Sequence, residues 1–286
     1  MEHIIPTEEL KKLCDQIKGS YGLYVSIPQE NKRFMVNEAA IFNAASTMKI
    51  PALAKLMQDA EEGLVDLEEM RQIKPENRVR GSGILKSLSP RLELPILDIA
   101  ELMMVLSDNS ATNEILDIIG LDRVREFCKE NGYENTWVWT KLFFQGEQPE
   151  PQNPEGTPKN ATCAWDLGRM MESIAKGRCV SENASRQMVQ IMAGQQVARL
   201  KTLLPNASHA DPRMPLQLPP EGKVTVASKG GTLLPPTGIA HDAGIFYLPD
   251  GRYYVMVVCT QSESVRDTTV IIQQAGLIMY EAMKGQ

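Results

Sequence analysis

The chain has 286 residues, of which 43% are hydrophobic, which is enough to bury one large core or two packed subdomains. Its formal net charge is -6, and its basic residues are scattered among acidic ones, so no nucleic-acid partner is expected. No run of about 18 apolar residues occurs, so no membrane-spanning segment is expected.

The first part of the chain combines a helix with a hairpin. Residues 7–18 have the apolar spacing of an amphipathic helix, with Thr7 as the expected cap. The strand-like runs YGLYVSI (21–27) and RFMVN (33–37) flank a polar turn, which predicts a β-hairpin. Helical spacing then predicts helices over 47–62, 95–106, 109–119, 121–131, 163–176 and 182–203.

A polar loop interrupts these helices, and strands return near the end. The loop at 144–161, FQGEQPEPQNPEGTPKNA, is long, and long ordered loops are often functional. The segments KVTVASKG (223–230) and DAGIFYLPDGRYYVMVVCT (242–260) are typical of strands, and the Pro249-Asp250-Gly251 turn predicts a hairpin within the second. Residues 265–284 have helical spacing.

Strands from both chain ends therefore flank a helical middle. We expect one antiparallel sheet, covered by the terminal helices, from residues 1–45 and 206–286. A helical subdomain over residues 46–205 would pack against this sheet. The groove between the two parts would suit a small-molecule ligand.

The first candidate functional motif is an S-x-x-K pair at the start of a helix. Ser46 and Lys49 lie in NAASTMKIPAL, where residues i and i+3 share a helix face. A serine hydroxyl needs such a base, and a lysine can serve if its pKa falls. Ser173 and Lys176 have the same spacing, but they lie inside an ordinary amphipathic pattern. Ser46 is favoured because a helix N-terminus offers backbone N–H groups to an oxyanion.

The second motif, Ser107-Asp108-Asn109, lies at the break between two predicted helices. In a purely structural interpretation, Asn109 or Ser110 caps the second helix. In a functional one, Ser107 relays a proton to a leaving group, the Asn109 amide binds a substrate carbonyl, and Asp108 holds the turn in shape.

The third motif, Lys229-Gly230-Gly231-Thr232, ends a predicted strand. Lys229 could anchor a substrate carboxylate and polarise Ser107. Gly231 and its neighbour would let a substrate lie against the strand edge. A glycine-rich strand terminus without function would show the same pattern.

Taken together, the motifs occur in an order and context that resemble the class A β-lactamases and penicillin-binding proteins. The segments GSGIL (81–85), SDNSATNEILDIIG (107–120) and HDAGIFYLPDGRYYVMVVCT (241–260) are also similar, so the resemblance covers most of the chain. It implies an α/β fold of the α+β type, with a five-stranded antiparallel sheet and a helical subdomain. It also implies a serine hydrolase that acts on β-lactams without a cofactor or metal.

Two departures from the family pattern concern the third motif and the loop. Gly230 stands where the family usually has a hydroxyl residue, so a contact to the substrate carboxylate is lost or passes to Thr232. Class A enzymes use a loop glutamate to activate the deacylating water, and Glu147 and Glu150 are the candidates here. Otherwise both are solvated loop carboxylates.

His241 and an aromatic cluster also have two interpretations each. A protonated His241 could hold the substrate carboxylate, as a cation in that region does in the family. Alternatively, it is a strand-end histidine bonded to Asp242 or to backbone. The aromatic residues before the loop are either core anchors or a substrate wall: Trp137, Trp139, Phe143 and Phe144.

The cysteines, the histidines and the start of the chain limit other functions. The 5 cysteines show no CxxC spacing, so we expect buried reduced thiols. His3, His209 and His241 form no cluster, so no metal site is expected. The first residues lack a secretory signal, which leaves the cytoplasm, or secretion after removal of a leader, as the expected location.

The leading functional hypothesis is an acyl-enzyme serine hydrolase acting on β-lactam amide bonds. Ser46 would be the nucleophile and Lys49 the base, with the N–H groups of Ser46 and Thr232 as oxyanion donors. The alternative is a peptidase, an esterase or a penicillin-binding acyl sensor of the same fold that deacylates slowly. We expect a monomer whose partner is a small-molecule substrate, with neither nucleic acid nor membrane involved.

Overall fold

The computed structural model describes residues 5–206 and 217–284. The sequence interpretations of His3 and His209 lie outside these ranges. Over the described residues, no helix has the length and apolarity needed to cross a membrane.

Helices and strands follow the predicted order along the chain. The helices are α1 (Thr7–Cys14), α2 (Lys49–Glu61), α3 (Ile96–Val105), α4 (Asn109–Ile119), α5 (Leu121–Glu130), α6 (Ala164–Ala175), α7 (Glu182–Ala193) and α8 (Val265–Lys284). The strands are β1 (Gly19–Ile27), β2 (Lys32–Val36), β3 (Phe42–Asn43), β4 (Met70–Gln72), β5 (Glu93–Pro95), β6 (Trp137–Val138), β7 (Asn160–Thr162), β8 (Thr225–Leu233), β9 (Ile239–Tyr247) and β10 (Tyr253–Ser262).

A five-stranded antiparallel sheet joins the two ends of the chain. Its strand order is β2-β1-β10-β9-β8, with β1 and β10 paired in the centre from Gly19 opposite Ser262 to Ser26 opposite Val255. The predicted hairpins are the β1–β2 and β9–β10 pairs. The fold class expected from the sequence is therefore confirmed.

Both faces of the sheet are covered, and the alternation along β10 shows how. Val255 and Val257 join the core shared with the helical part of the chain, whereas Tyr254 and Met256 join the core formed with α1 and α8. Successive strand residues point to opposite faces, so a continuous apolar run fills two cores. The central strands are therefore packed between two layers of helices.

Several predicted boundaries move in the structure. Helix α7 ends at Ala193 instead of continuing to residue 203, because the following segment turns back to the sheet, where Asp242 accepts hydrogen bonds from the N–H groups of Arg199 and Leu200. Thr7 is the first helical residue, and Pro6 occupies the N-cap position without a side-chain hydrogen bond. The prediction of buried reduced thiols is confirmed, since all five cysteines are free and buried.

Candidate active site

Ser46 lies on a tight turn at the entrance to α2. A 3-10 turn over Ala45–Met48 precedes the helix, and Ala45 has a left-handed φ of 45°. Such a conformation is costly for a residue with a side chain, and it persists where the surroundings hold it in place. Ser46 is half-buried, whereas all the other residues from Ala44 to Met57 are buried. Within this segment, Ser46 is therefore the one residue whose hydroxyl is partly exposed to solvent.

The edge of β8 lies directly against this turn. A Cβ on Gly231 would stand 3.0 Å from the Ser46 nitrogen and 3.1 Å from the Cβ of Ala45, so glycine permits the close approach. Over the parts of the chain that are described, the Ser46 N–H and Oγ make no hydrogen bond to protein. Both groups are thus available to a substrate beside the strand edge.

The amine of Lys49 is completely buried beneath the turn. Its Nζ donates to the Ser107 carbonyl oxygen at 2.7 Å, to Ser107 Oγ at 3.0 Å and to Asn109 Oδ1 at 3.1 Å. Burial lowers the pKa of Lys49 well below its usual value; the charge of Lys229 acts in the same direction and that of Asp108 opposes it. The sequence placed Lys49 on the same helix face as Ser46, but none of these hydrogen bonds goes to Ser46, because the amine turns towards the second motif.

A second buried lysine reaches the same hydroxyl from the sheet. Lys229 Nζ lies 3.0 Å from Ser107 Oγ and 2.8 Å from the Gly230 carbonyl oxygen. Burial lowers the pKa of Lys229 to about 7, with Asp242 opposing and Arg199 reinforcing that shift. Ser107 itself has a left-handed φ of 54°. Its hydroxyl therefore bridges two buried amines whose pKa values are both lowered by burial.

Asp108, rather than Asn109 or Ser110, caps helix α4. Its Oδ1 accepts from the N–H groups of Ser110 and Ala111. The prediction that Asn109 or Ser110 caps this helix is therefore wrong. Asp108 has the extended backbone of an N-cap residue, and its short carboxylate reaches those two N–H groups. The prediction that Asp108 holds the turn in shape agrees with this geometry.

The GSGIL segment packs onto this turn. Asp108 Oδ2 accepts from the N–H groups of Ile84 and Leu85, at 2.6 and 2.9 Å. A Cβ on Gly83 would lie 2.1 Å from the Asp108 Cγ, and one on Gly81 would lie 2.4 Å from the Asn109 Nδ2. Both glycines also have left-handed φ values. Only glycine allows this segment to wrap closely around the second motif.

Arg199 is a cation at the site that the sequence patterns did not reveal. It is 8% exposed, and its guanidinium donates to Thr232 Oγ1 at 2.5 Å and to the His241 carbonyl oxygen at 3.0 Å. Thr232 is exposed at the end of the strand edge. Arg199 belongs to no motif and lies in a segment predicted as helix, so only the chain reversal after α7 brings it here.

With this geometry in place, the comparison with known proteins decides the family. The family model described as "Beta-lactamase enzyme family" matches residues 6–283. The chain belongs to the beta-lactamase enzyme family. It has a class A-like penicillin-binding fold, as the resemblance implied.

Individual relatives are distant. A beta-lactamase of Proteus vulgaris is 24% identical over 192 residues, which are 65% of this chain and 61% of the relative, less than two thirds of its length. Beta-lactamase PSE-4 of Pseudomonas aeruginosa is 25% identical over 205 residues, 69% of this chain and 68% of the relative.

Solved structures are similar over nearly the whole chain. The beta-lactamase from Sphaerobacter thermophilus DSM 20745 has a TM-score of 0.81 and 24% identity, covering 98% of this chain and 97% of that one. The structure of PBP-A has a TM-score of 0.80 and 24% identity, covering 100% and 99%. At this level of identity the similarity establishes the fold.

The prediction that His241 binds substrate in this beta-lactamase-family protein is corrected. Its ring is fully buried, with Nε2 2.9 Å from the Asn43 carbonyl oxygen and Nδ1 accepting from the Thr260 N–H. Burial lowers the pKa of His241 to about 4, so the ring is neutral at ordinary pH. It joins β9 to the chain before Ser46, which is the structural alternative.

The loop glutamates do not join the catalytic cluster. Glu147 and Glu150 are exposed, and within the described residues neither has a hydrogen bond or ion pair to Ser46 or Lys49. Just before the loop, the backbone of Leu142 is held by the side-chain amide of Asn113. Asn113 Oδ1 accepts a hydrogen bond from the Leu142 N–H at 2.8 Å, and Asn113 Nδ2 donates one to the Leu142 carbonyl oxygen at 2.9 Å. The structure therefore gives no support to either glutamate as the group that activates water.

Asn160 closes the base of this loop, a role that sequence reasoning missed. Its Oδ1 accepts from the N–H groups of Trp139 and Thr140, and its Nδ2 donates to the Thr140 carbonyl oxygen. Trp139 is buried, which favours the core-anchor interpretation for that residue. Phe143, by contrast, is 44% exposed. The aromatic cluster thus divides between the core and the surface.

The second S-x-x-K pair has a different environment. Lys176 Nζ forms an ion pair with Glu172, 2.7 Å from its carboxylate oxygen, and Ser173 lies within α6. No metal cluster competes with the serine site: across residues 5–206 and 217–284, no group of three or more His, Cys, Asp or Glu side chains could hold a metal ion.

Proposed function

We propose that this protein is an active-site serine hydrolase that opens β-lactam amide bonds through an acyl-enzyme on Ser46. The observation that carries the proposal is the convergence of three chain segments. The half-buried Ser46 lies against Gly231, while Lys49 and Lys229 both contact the Ser107 hydroxyl at 3.0 Å. This arrangement has a nucleophile, a base and a proton donor in one place.

The first chemical step is attack of Ser46 Oγ on the lactam carbonyl carbon. The serine proton passes to Lys49, whose buried amine is a base because its pKa is lowered. In the free protein this amine contacts Ser107 and Asn109, so substrate binding must tighten the Ser46–Lys49 approach, as catalytic hydrogen bonds often do. The developing oxyanion accepts from the N–H groups of Ser46 and Thr232.

The leaving nitrogen then takes a proton from Ser107. Its hydroxyl is hydrogen-bonded to Lys49 and Lys229, so the proton that Lys49 received can replenish it. Asn109 is held by the Arg80 carbonyl oxygen at 3.2 Å, and its amide would bind the carbonyl of the substrate's acyl side chain. The Arg199 guanidinium, acting through Thr232, supplies the positive field for the substrate carboxylate.

A specific observation also favours a second candidate, the acyl sensor with slow deacylation. The two loop glutamates are exposed, so hydrolysis of the ester lacks an evident general base. A mutant of PBP-A, solved as an acyl-enzyme complex with penicillin G, is 25% identical with a TM-score of 0.78. Both candidates share the acylation step and differ in the fate of the ester.

The test is to mix the protein with nitrocefin and benzylpenicillin, follow turnover, and measure intact mass. Many turnovers without a lasting adduct support the lactamase, and one equivalent of adduct on Ser46 supports the sensor. Ser46→Ala should abolish both results. Ser173→Ala is the matched control and should change neither. Loss of acylation in Ser173→Ala but not in Ser46→Ala would overturn the choice of nucleophile.

A further inference from the structure

Asp242 is a fully buried carboxylate behind the catalytic cluster. It lies on β9 opposite Gly230 of β8, next to the pair formed by Lys229 and Ala243. Successive residues of a strand point to opposite faces of the sheet. Ala243 belongs to the core shared with the helical part of the chain, so Lys229 points to that side. Asp242 points to the opposite side, towards α8, and one layer of backbone separates the two side chains.

One oxygen of Asp242 fastens the chain segment that carries Arg199. Asp242 Oδ2 accepts hydrogen bonds from the N–H groups of Arg199 at 2.5 Å and Leu200 at 2.8 Å. This segment lies outside the helices, since α7 ends at Ala193. The carboxylate thus holds the backbone from which the Arg199 guanidinium reaches Thr232.

Glycine at position 230 makes room for the same segment. A Cβ on Gly230 would stand 3.1 Å from the Val197 carbonyl oxygen and 3.3 Å from Arg199 Nη1. Both distances are shorter than a comfortable van der Waals contact, so a side chain there would displace the guanidinium. The position at which this chain departs from the family pattern is therefore covered by the segment that Asp242 holds.

Asp242 is also the acidic neighbour of three largely buried cations: Lys229, Arg199 and Lys201. Burial lowers the pKa of each cation, and the charge of this carboxylate opposes the shift in every case. Among the described residues, no second carboxylate acts on any of the three in this way. Attraction between charges is strong in such a place because little water screens it.

The other elements packed on this face of the sheet bring no charge. The buried residues of α1 and α8 are uncharged at neutral pH, and the titratable ones are Cys14 and Tyr280. On β10, Val258 lies opposite Asp242, and the titratable group is Tyr254. Asp242 Oδ1 has no hydrogen-bond partner within the described residues. The carboxylate charge is therefore directed at the cations alone.

We propose that Asp242 is a positioning residue for acylation, which holds the segment bearing Arg199 and keeps the positive charge on Lys229 across the sheet. The inference rests on the proposed function, in which charged Lys229 polarises Ser107 and Arg199 supplies the field for the substrate carboxylate. Asp242 lies behind the strand that faces the substrate, so it acts through these two cations.

The test separates the charge of Asp242 from its hydrogen bonds. In Asp242→Asn the amide oxygen can accept from the same two N–H groups, but the charge is gone. The fall of the acylation rate at alkaline pH should begin about one pH unit lower than in wild type, because one buried charge changes a neighbouring pKa by about that amount. The benzylpenicillin concentration that gives half the maximal rate should stay unchanged.

Asp242→Ala removes both the charge and the hydrogen bonds. It should show the same pH shift and also raise the half-saturating benzylpenicillin concentration about fivefold to tenfold, because the segment bearing Arg199 loses its anchor. Asp250→Asn is the matched control, since it removes an exposed carboxylate from the turn of the same hairpin. It should change neither quantity. If Asp242→Ala does not fold, the Asp242→Asn measurements decide the inference.

A direct titration of Lys229 separates this inference from the proposed function. Protein labelled with ¹³C at the lysine Cε atoms is titrated by NMR, and the Lys229 signal is identified by its loss in Lys229→Met. The pKa of Lys229 should be about one unit lower in Asp242→Asn and unchanged in Asp250→Asn.

The combined results distinguish the two proposals. If no penicillin adduct forms but the Lys229 pKa falls in Asp242→Asn, the hydrolase proposal fails and the coupling of the two residues stands. If adducts form and the Lys229 pKa is the same in Asp242→Asn as in wild type, the role of Asp242 is wrong and the hydrolase proposal survives. A folded Asp242→Ala protein with an unchanged half-saturating concentration would also overturn the inference.

Discussion

Replacing Lys229 by methionine should stabilise the protein at acid and neutral pH while removing its acylation activity. Burial lowers the pKa of Lys229 to about 7, whereas the unfolded chain holds this proton up to a pKa of about 10.4. Below pH 7 both states are protonated, and folding then carries the full cost of burying the charge, about 5 kcal/mol. Between about pH 7 and 10 this cost disappears, so wild-type stability rises with pH.

Methionine has no charge to bury but loses the hydrogen bonds to Ser107 and Gly230, each of which contributes about 1 kcal/mol. We therefore expect Lys229→Met to be more stable than wild type by about 2–3 kcal/mol at pH 6 and less stable by about 2 kcal/mol at pH 10. Stability gained at the expense of activity is common when a functional charge is buried.

The assay is urea unfolding of both proteins at four values between pH 6 and pH 10, with acylation by benzylpenicillin measured alongside. Lys129→Met removes an exposed lysine and should shift stability little, by the same amount at every pH. A Lys229→Met difference that stays constant across the range would refute the reasoning, because it would mean that Lys229 binds its proton equally in the folded and unfolded states.

Two further results are expected. Gly83→Ala should destabilise the protein by about 3 kcal/mol or more, since its Cβ would stand 2.1 Å from the Asp108 Cγ at a left-handed φ. Gly63→Ala, at a φ of 71° with no atom within 4 Å, should cost only about 1 kcal/mol in urea unfolding; equal losses would contradict the packing argument. The acylation rate should fall on the acid side as Lys49 takes up a proton, and above about pH 7 as Lys229 loses the charge that polarises Ser107. An acylation rate that does not fall between pH 6 and pH 9 would contradict the role of Lys229.

Many helices and strands could be predicted from the sequence, because turn residues and apolar spacing act over a few neighbouring residues. The β9–β10 hairpin was predicted from Pro249-Asp250-Gly251 between apolar runs, and α4 from the spacing of 109–119. The end of α7 was not predicted, because the segment that follows this helix is held by Asp242, which lies 43 residues beyond Arg199. Helix boundaries of this kind are set by partners that lie far along the chain.

For the candidate site too, some features follow from the sequence and others only from the tertiary structure. The amino-acid sequence alone determined the three motifs, the sheet built from both chain ends and the family resemblance, since residue type and spacing are written in the chain. The tertiary structure alone turned the Lys49 amine towards Ser107, brought Arg199 to Thr232, buried His241 and left Glu147 and Glu150 in solvent. The physical reason is that burial and neighbouring charge set the protonation and reach of a side chain, and both arise only when distant segments pack together.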